Sequence, residues 1–441
     1  MNRYERYKDS GIPWLGEVPE HWIIMPIKFS LTMPITDGPH ETPEILSDGI
    51  PFISAEAVKN DKLDFNKKRG YISEEDNARF SRKYSPQKGD IYMVKSGATT
   101  GNVAKVETDE VFNIWSPLAV MRPNKNKIST DFLFYAIKSD YFNTSVQLKW
   151  NMGTQQNIGM GILSNIRVVI PPTDEQTAIT HYLDTKLGEI DALIDKQQTL
   201  LEKLAEQRTA VITHAVTKGL NPAAPMKNSG VEWLGDVPAH WDVSPFKLVM
   251  NSIIDYRGKT PEKTNSGVFL ITARNIKNGI IDYTLSQEFI DEDNYEEVMR
   301  RGLPKLGQVL MTTEAPLGEV AQIDRTDVAL AQRVLKFDGK KDKLDNRFLK
   351  YFILSKAFQA SLYKFATGST ALGIKSERLS YLKSLLPPVT EQINIANYLD
   401  QETVKIDRLC DTVNQTIGRL KEYRTALITQ AVTGKIKVTD E

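Results

Sequence analysis

The chain has 441 residues, 41% hydrophobic and 25% charged, an ordinary globular composition with room for two to four cores. Its 56 basic residues balance 56 acidic ones, so no bulk field advertises a nucleic-acid partner and any such contact must be local. One cysteine, Cys410, excludes a disulfide framework and a cysteine-rich zinc site, and no apolar run approaches the roughly 20 residues of a membrane helix, so the expected setting is cytoplasmic.

The first recognisable element is SGIPWLGEVPEHW at 10–22, where Trp14 reads as an anchor and His21 as a packing or capping residue beside Trp22. Residues 23–172 then read as mixed α/β: β-rich runs such as GDIYMVKSG, VFNIWSPLAVMRP and IRVVIPP alternate with Gly, Pro and Asn turns, and a helix is expected near 131–147. Two polar loops stand out. Lys95, Ser96, Thr99, Thr100 and Asn102 lie in a Gly-bounded loop, and Thr154, Gln155, Gln156 and Asn157 follow Gly153. Asn and Gln can grip adenine bidentately, while Lys suits guanine or phosphate. The basic clusters Lys67-Lys68-Arg69 and Arg82-Lys83 are candidate phosphate contacts.

A Pro-Pro pair and an acidic residue then announce a helix over 173–218. Leu183, Leu187, Ile190, Ile194, Gln197, Leu201, Leu204, Arg208, Val211 and Ala215 alternate by four and three, an uninterrupted heptad seam. Asp184-Thr185-Lys186 has part of a metal-nuclease spacing but reads as helix surface. Gly219 ends the helix, and the proline-containing stretch 219–226 reads as a linker.

Everything then repeats. SGVEWLGDVPAHW at 229–241 returns the opening, with Trp233, His240 and Trp241; PPVTEQINIANYLD at 387–400 returns PPTDEQTAITHYLD; RTALITQAVT at 424–433 returns RTAVITHAVT. Between these anchors, 227–388 matches 1–172 only in apolar spacing and a few glycines. A shared frame with divergent middles predicts one scaffold carrying two recognition surfaces. In the second copy the candidate contacts are Arg257, Lys259, Arg300, Arg301, Thr313, Ser369 and Thr370, with Lys340-Lys341 as a further basic pair. The second seam, within 389–435, is Leu399, Thr403, Ile406, Cys410, Val413, Ile417, Leu420, Arg424, Leu427 and Ala431. Neither a P-loop, a dinucleotide glycine fingerprint nor the methyltransferase Pro-Pro-aromatic tetrapeptide occurs, and the five histidines show no ligand spacing, so no catalytic or metal site is expected.

The W-L-G-x-[VI]-P-x-H-W opening, the P-P-x-x-E-Q…Y-L-D helix start and the R-T-A-[VL]-I-T-x-A-V-T ending resemble the specificity subunit of Type I restriction–modification systems, over nearly the whole chain and in both copies. The resemblance implies an α+β fold: two mixed α/β target-recognition domains, each reading half of a bipartite double-stranded DNA site, joined by two antiparallel helices. It also implies partners, two methyltransferase subunits with S-adenosylmethionine and restriction subunits using ATP and magnesium, with no cofactor on this chain. The family's G-D-I…S-G-x-x-G-x-[VA]-A segment falls on Gly89, Asp90, Ile91, Ser96, Gly97, Gly101, Val103 and Ala104. The second copy keeps the pattern at Gly307, Gln308 and Val309 but has Glu314-Ala315-Pro316 where the first has Ser96-Gly97-Ala98. If the seams pair centre to centre, Arg208 should meet Asp407 and Arg424 should meet Asp191. Two other classes stay open on residues alone: a coiled-coil scaffold binding protein or polysaccharide, and a nuclease fragment.

Overall fold

The computed structural model describes residues 3–149, 157–256, 261–368 and 372–438. It divides into two compact units, residues 1–197 with 415–441, and residues 198–414. Both long helices, Thr173–Lys218 and Val389–Val432, therefore contribute one half to each unit.

Each unit is built on the same frame. In the first, the strands Thr36–Asp37, Leu118–Met121, Ile91–Val94 and Val103–Lys105 lie side by side, and Lys62–Leu63 adds in parallel beyond them. The second unit repeats the order with Met250–Asp255, Val334–Gly339, Val309–Thr313 and Leu317–Gln322. A smaller sheet accompanies each, Asn113–Ile114 with Ile50–Ile53 and Gly70–Ile72 in one, Val328–Leu330 with Val268–Ile271 and Phe289–Ile290 in the other. Ile91–Val94 and Val309–Thr313 are buried along their whole length, which is why the stretches IYMV and VLM read as apolar runs rather than alternating.

The single helix expected at 131–147 is two, Thr130–Lys138 and Asp140–Gln147, and the second copy has Asn346–Leu354 and Lys356–Lys364. Ser139 and Ser355 interrupt them in extended conformation, each folding its hydroxyl back onto a carbonyl three residues earlier. The period of the apolar residues carries across the break, so spacing alone hides it.

The repeated motifs hold the long helices to the heads. Buried Gln176 accepts from the Ser129 amide at 2.7 Å and donates to the Lys127 and Pro171 carbonyls; Gln392 does the same with Asp345, Lys343 and Pro387. Tyr135 donates to Asp184 at 2.5 Å and Tyr351 to Asp400 at 2.6 Å, and burial with the adjacent carboxylate raises both phenols' pKa. Asp184 thus fastens helix to head rather than decorating a free surface. Thr429 accepts from the Asp140 amide and Thr213 from the Lys356 amide, both at 2.9 Å, at the starts of the second head helices.

In each unit the start of one long helix lies beside the end of the other, so they run antiparallel. Arg424 donates to Asp191 at 3.0 Å within the first unit, and Arg208 to Asp407 at 3.2 Å within the second. The seam residues Leu183, Leu187, Ile190, Ile194, Leu204, Leu399, Ile406, Val413 and Ile417 are buried, and Leu201 and Leu420 are half-buried. No helix among the described residues is long and apolar enough to cross a membrane.

Candidate nucleic-acid interface

In the first unit the polar loop leaves strand Ile91–Val94 and returns at Val103. Gly97 and Gly101 have positive φ, and neither has anything within 4 Å of where a side chain would stand. Thr99 and Asn102 are exposed; Ser96 and Thr100 are half-exposed, the Thr100 hydroxyl donating to the Gly97 carbonyl at 2.6 Å. Ser96 forms a β-bridge with exposed Asn157, and the Ile158 amide donates to the Lys95 carbonyl at 2.8 Å. The fold thereby joins the two loops that sequence left separate. The second unit repeats this join, the Ile374 amide donating to the Thr313 carbonyl at 3.0 Å.

Lys95 itself points inward. Its ammonium lies 3.2 Å from Asp37, a fully buried carboxylate that also takes Lys83 at 2.5 Å and His40 at 3.0 Å. Burial alone would raise the Asp37 pKa, but Lys83 and Lys95 outweigh it and hold the carboxyl below the usual range. Lys95 is therefore a strut beneath the loop, while Lys83 and His40, which share the same carboxylate, are exposed. Beside them Arg69 stacks on Trp115, its guanidinium carbon 3.9 Å from the ring centroid, and Lys68 lies over Tyr71. Lys67 and Arg82 are exposed. The Trp115–Pro117 segment ties this group to the loop, since the Pro117 carbonyl accepts from the Lys95 amide. The result is a patch of cations around a rim of hydroxyls and amides, the residue types that track phosphates and read base edges.

The second unit differs. Thr313 is buried in its strand, so its hydroxyl is not on a surface, and Arg301 donates to the Asp255 carbonyl. Arg300 is exposed and paired with Glu297 at 2.9 Å. Arg333 and Glu314, 2.7 Å apart, stand where the first unit has Pro117 and Ser96. Lys340 and Lys341 are exposed. Thr154, Gln155, Gln156, Arg257, Lys259, Ser369 and Thr370 lie outside the described residues. Sequence reasoning passed over His40, Trp115, Arg333 and Asp37. Trp115 carried a signal: apart from it and Trp150, every tryptophan belongs to the repeated opening motifs.

Lys336 is buried where the first unit has Val120, its ammonium held by the Gly302 and Leu303 carbonyls. Burial, with Lys305 nearby, pushes its pKa down to about 8, against about 10.4 for a free lysine. Between those values the unfolded chain binds more protons than the folded one, so stability should rise with pH from about 8 to 10.4 and be flat just below. Urea midpoints across that range should show the rise in the native chain and lose it in Lys336→Met; matching profiles would mean that another group is responsible.

Among the described residues no cluster of three His, Cys, Asp or Glu is arranged to hold a metal ion. The model for the Type I restriction modification DNA specificity domain matches residues 39–203 and 238–418. The chain belongs to that family. Its relatives include the Type I restriction enzyme MjaVIII specificity subunit of Methanocaldococcus jannaschii, 26% identical over 79% of this chain and 77% of the relative. The putative MjaX specificity subunit of the same organism is 25% identical over 98% and 97%, and the EcoKI specificity subunit of Escherichia coli K12 is 22% identical over 96% and 90%. A solved chain from a study of complex assembly and conformational transition in a type I R-M system has the same fold, with TM-score 0.68 over 95% of this chain and 99% of that one at 16% identity. This is a specificity subunit, with a DNA-recognition role in a type I system and no catalytic role of its own.

Proposed function

We propose that the two heads, residues 1–172 and 227–388, read the two halves of a bipartite, asymmetric double-stranded DNA site. The chain thereby directs two methyltransferase subunits and restriction subunits to that site in the cytoplasm. S-adenosylmethionine, ATP and magnesium belong to those partners. The observation that carries the reading is one frame with two different surfaces. At matching loop joins the first head presents Ser96 beside Asn157, and the second an Arg333–Glu314 pair. A hydroxyl and an amide offer donors and acceptors that a paired carboxylate does not, so the two heads favour different base edges.

Exchanging residues 23–172 for the matching segment of a relative, then mapping methylation in a genome carrying the complete system, tests this. Only one half of the methylated sequence should change. A change in both halves, or in neither, would sink the modular reading.

A further inference from the structure

The arginine that opens each R-T-A motif does more than pair the helices. In the first unit Arg424 spends its Nε on Asp191 at 3.0 Å and turns an Nη toward Asp61 at 3.3 Å. Asp61 lies in a turn of left-handed residues, Asn60 and Asp61, between strands Val58–Lys59 and Lys62–Leu63. Lys138, on the first head helix, also donates to Asp61. The turn then buttresses the loop: the Lys105 amide donates to the Asp61 carbonyl at 3.3 Å, on the strand that begins where the 95–102 loop ends. Asn60, Asp61, Gly101, Asn102 and Lys138 share the wall of one polar cavity.

The second unit builds the same connection from different acceptors. Arg208 donates to Asp407 at 3.2 Å and to the Asn278 carbonyl at 3.0 Å, and Asn278 is again left-handed. The Asn278 amide donates to Glu319 at 3.0 Å, and the Glu319 amide donates to the Thr312 hydroxyl at 2.9 Å, one residue before the 313–316 turn. A planar guanidinium can serve both acceptors at fixed angles, which one ammonium on a flexible stem cannot.

We propose that Arg424 and Arg208 are positioning residues for DNA recognition, each setting the reading loop of its own head from the helix pair. The proposal rests on the function given above. Neither arginine touches DNA; each acts through a turn. Arg424→Lys keeps a charge beside Asp191 and gives up the second arm, whereas Asp191→Ala removes the helix partner and leaves the turn.

Hydrogen exchange on the full-length chain reads the mechanical part. In Arg424→Lys, amides of 98–105 should exchange about tenfold faster, the equivalent of one hydrogen bond to a charged group. Amides of 183–197 and of 309–319 should keep their native rates. Unchanged exchange at 98–105, or equal loosening of 183–197, would reduce Arg424 to a helix-pairing residue. Methylation mapping in the complete system reads the recognition part. Arg424→Lys should relax one half-site and Arg208→Lys the other, while Asp191→Ala leaves both intact. Looser loops with unaltered half-sites would overturn the positioning role. An unmutated chain that yields no bipartite motif would overturn the function itself, and is distinguishable because it fails before any substitution.

Discussion

Removing seven residues from each long helix, 196–202 and 413–419, should shorten the spacer of the methylated site by about 3 base pairs and leave both half-sites unchanged. The helices run 46 and 44 residues, roughly 69 and 66 Å at 1.5 Å per residue. Seven residues keep the heptad phase, so Leu204 takes the place of Gln197 after Ile194, and Leu420 that of Val413 after Cys410. Both Arg–Asp pairs lie outside the cuts, at 191 with 424 and 208 with 407, so the antiparallel register survives. The loss of about 10 Å of helix corresponds to about 3 base pairs at 3.4 Å each. Methylation mapping of the complete system with the doubly shortened chain measures it. An active double deletion that keeps the native spacer would show that something other than these helices sets the distance.

The helices were the most legible part of the sequence because a long, narrow apolar stripe has one physical use, another stripe. Charges inside it are costly unless matched, so with the seams paired centre to centre Arg208 and Arg424 point to Asp407 and Asp191. The heads were legible only in class. Their strands are short and pair across long stretches of chain, as Thr36–Asp37 does with Leu118–Met121 and Lys62 with Lys105. No periodicity encodes such a pairing. Lys95 looked like a surface cation for the same reason. Its burial depends on Asp37, which reaches it only after the sheet has formed. The Arg69–Trp115 stack likewise follows from the neighbouring strands Ile50–Ile53, Gly70–Ile72 and Asn113–Ile114. Residues on a reading surface answer to a ligand rather than to packing, so composition and spacing leave them open.

The adjoining glutamate and glutamine of the P-P-x-x-E-Q motif should differ sharply when replaced. Gln392 is fully buried and satisfies one amide and two carbonyls, those of Asp345, Lys343 and Pro387, each at 2.8 Å. Asp345 caps the head helix Asn346–Leu354, and Pro387 leads into the long helix, so one side chain joins two helix starts. Gln392→Leu keeps the bulk and leaves three backbone groups without their partner, at about 1–3 kcal/mol for the buried Pro387 carbonyl and about 0.5–1.5 kcal/mol for each of the two part-buried ones. The expected loss is roughly 2–6 kcal/mol, a large fraction of the 5–15 kcal/mol that holds a typical domain. Glu391 instead pairs with His240 at 2.8 Å, where the His240 side chain is 48% exposed and that of Glu391 28%. A pair this open contributes below about 1 kcal/mol, so Glu391→Gln should hardly move the unfolding midpoint. The first copy sharpens the contrast, because Glu175 accepts from Tyr4 at 2.8 Å and Trp22 at 3.1 Å as well as pairing with His21. Glu175→Gln should therefore cost more than Glu391→Gln, and both less than Gln392→Leu. Chemical denaturation of the three variants gives the order directly. If Gln392→Leu proves no worse than Glu391→Gln, the motif's glutamine does not hold helix to head, and its burial serves some other end.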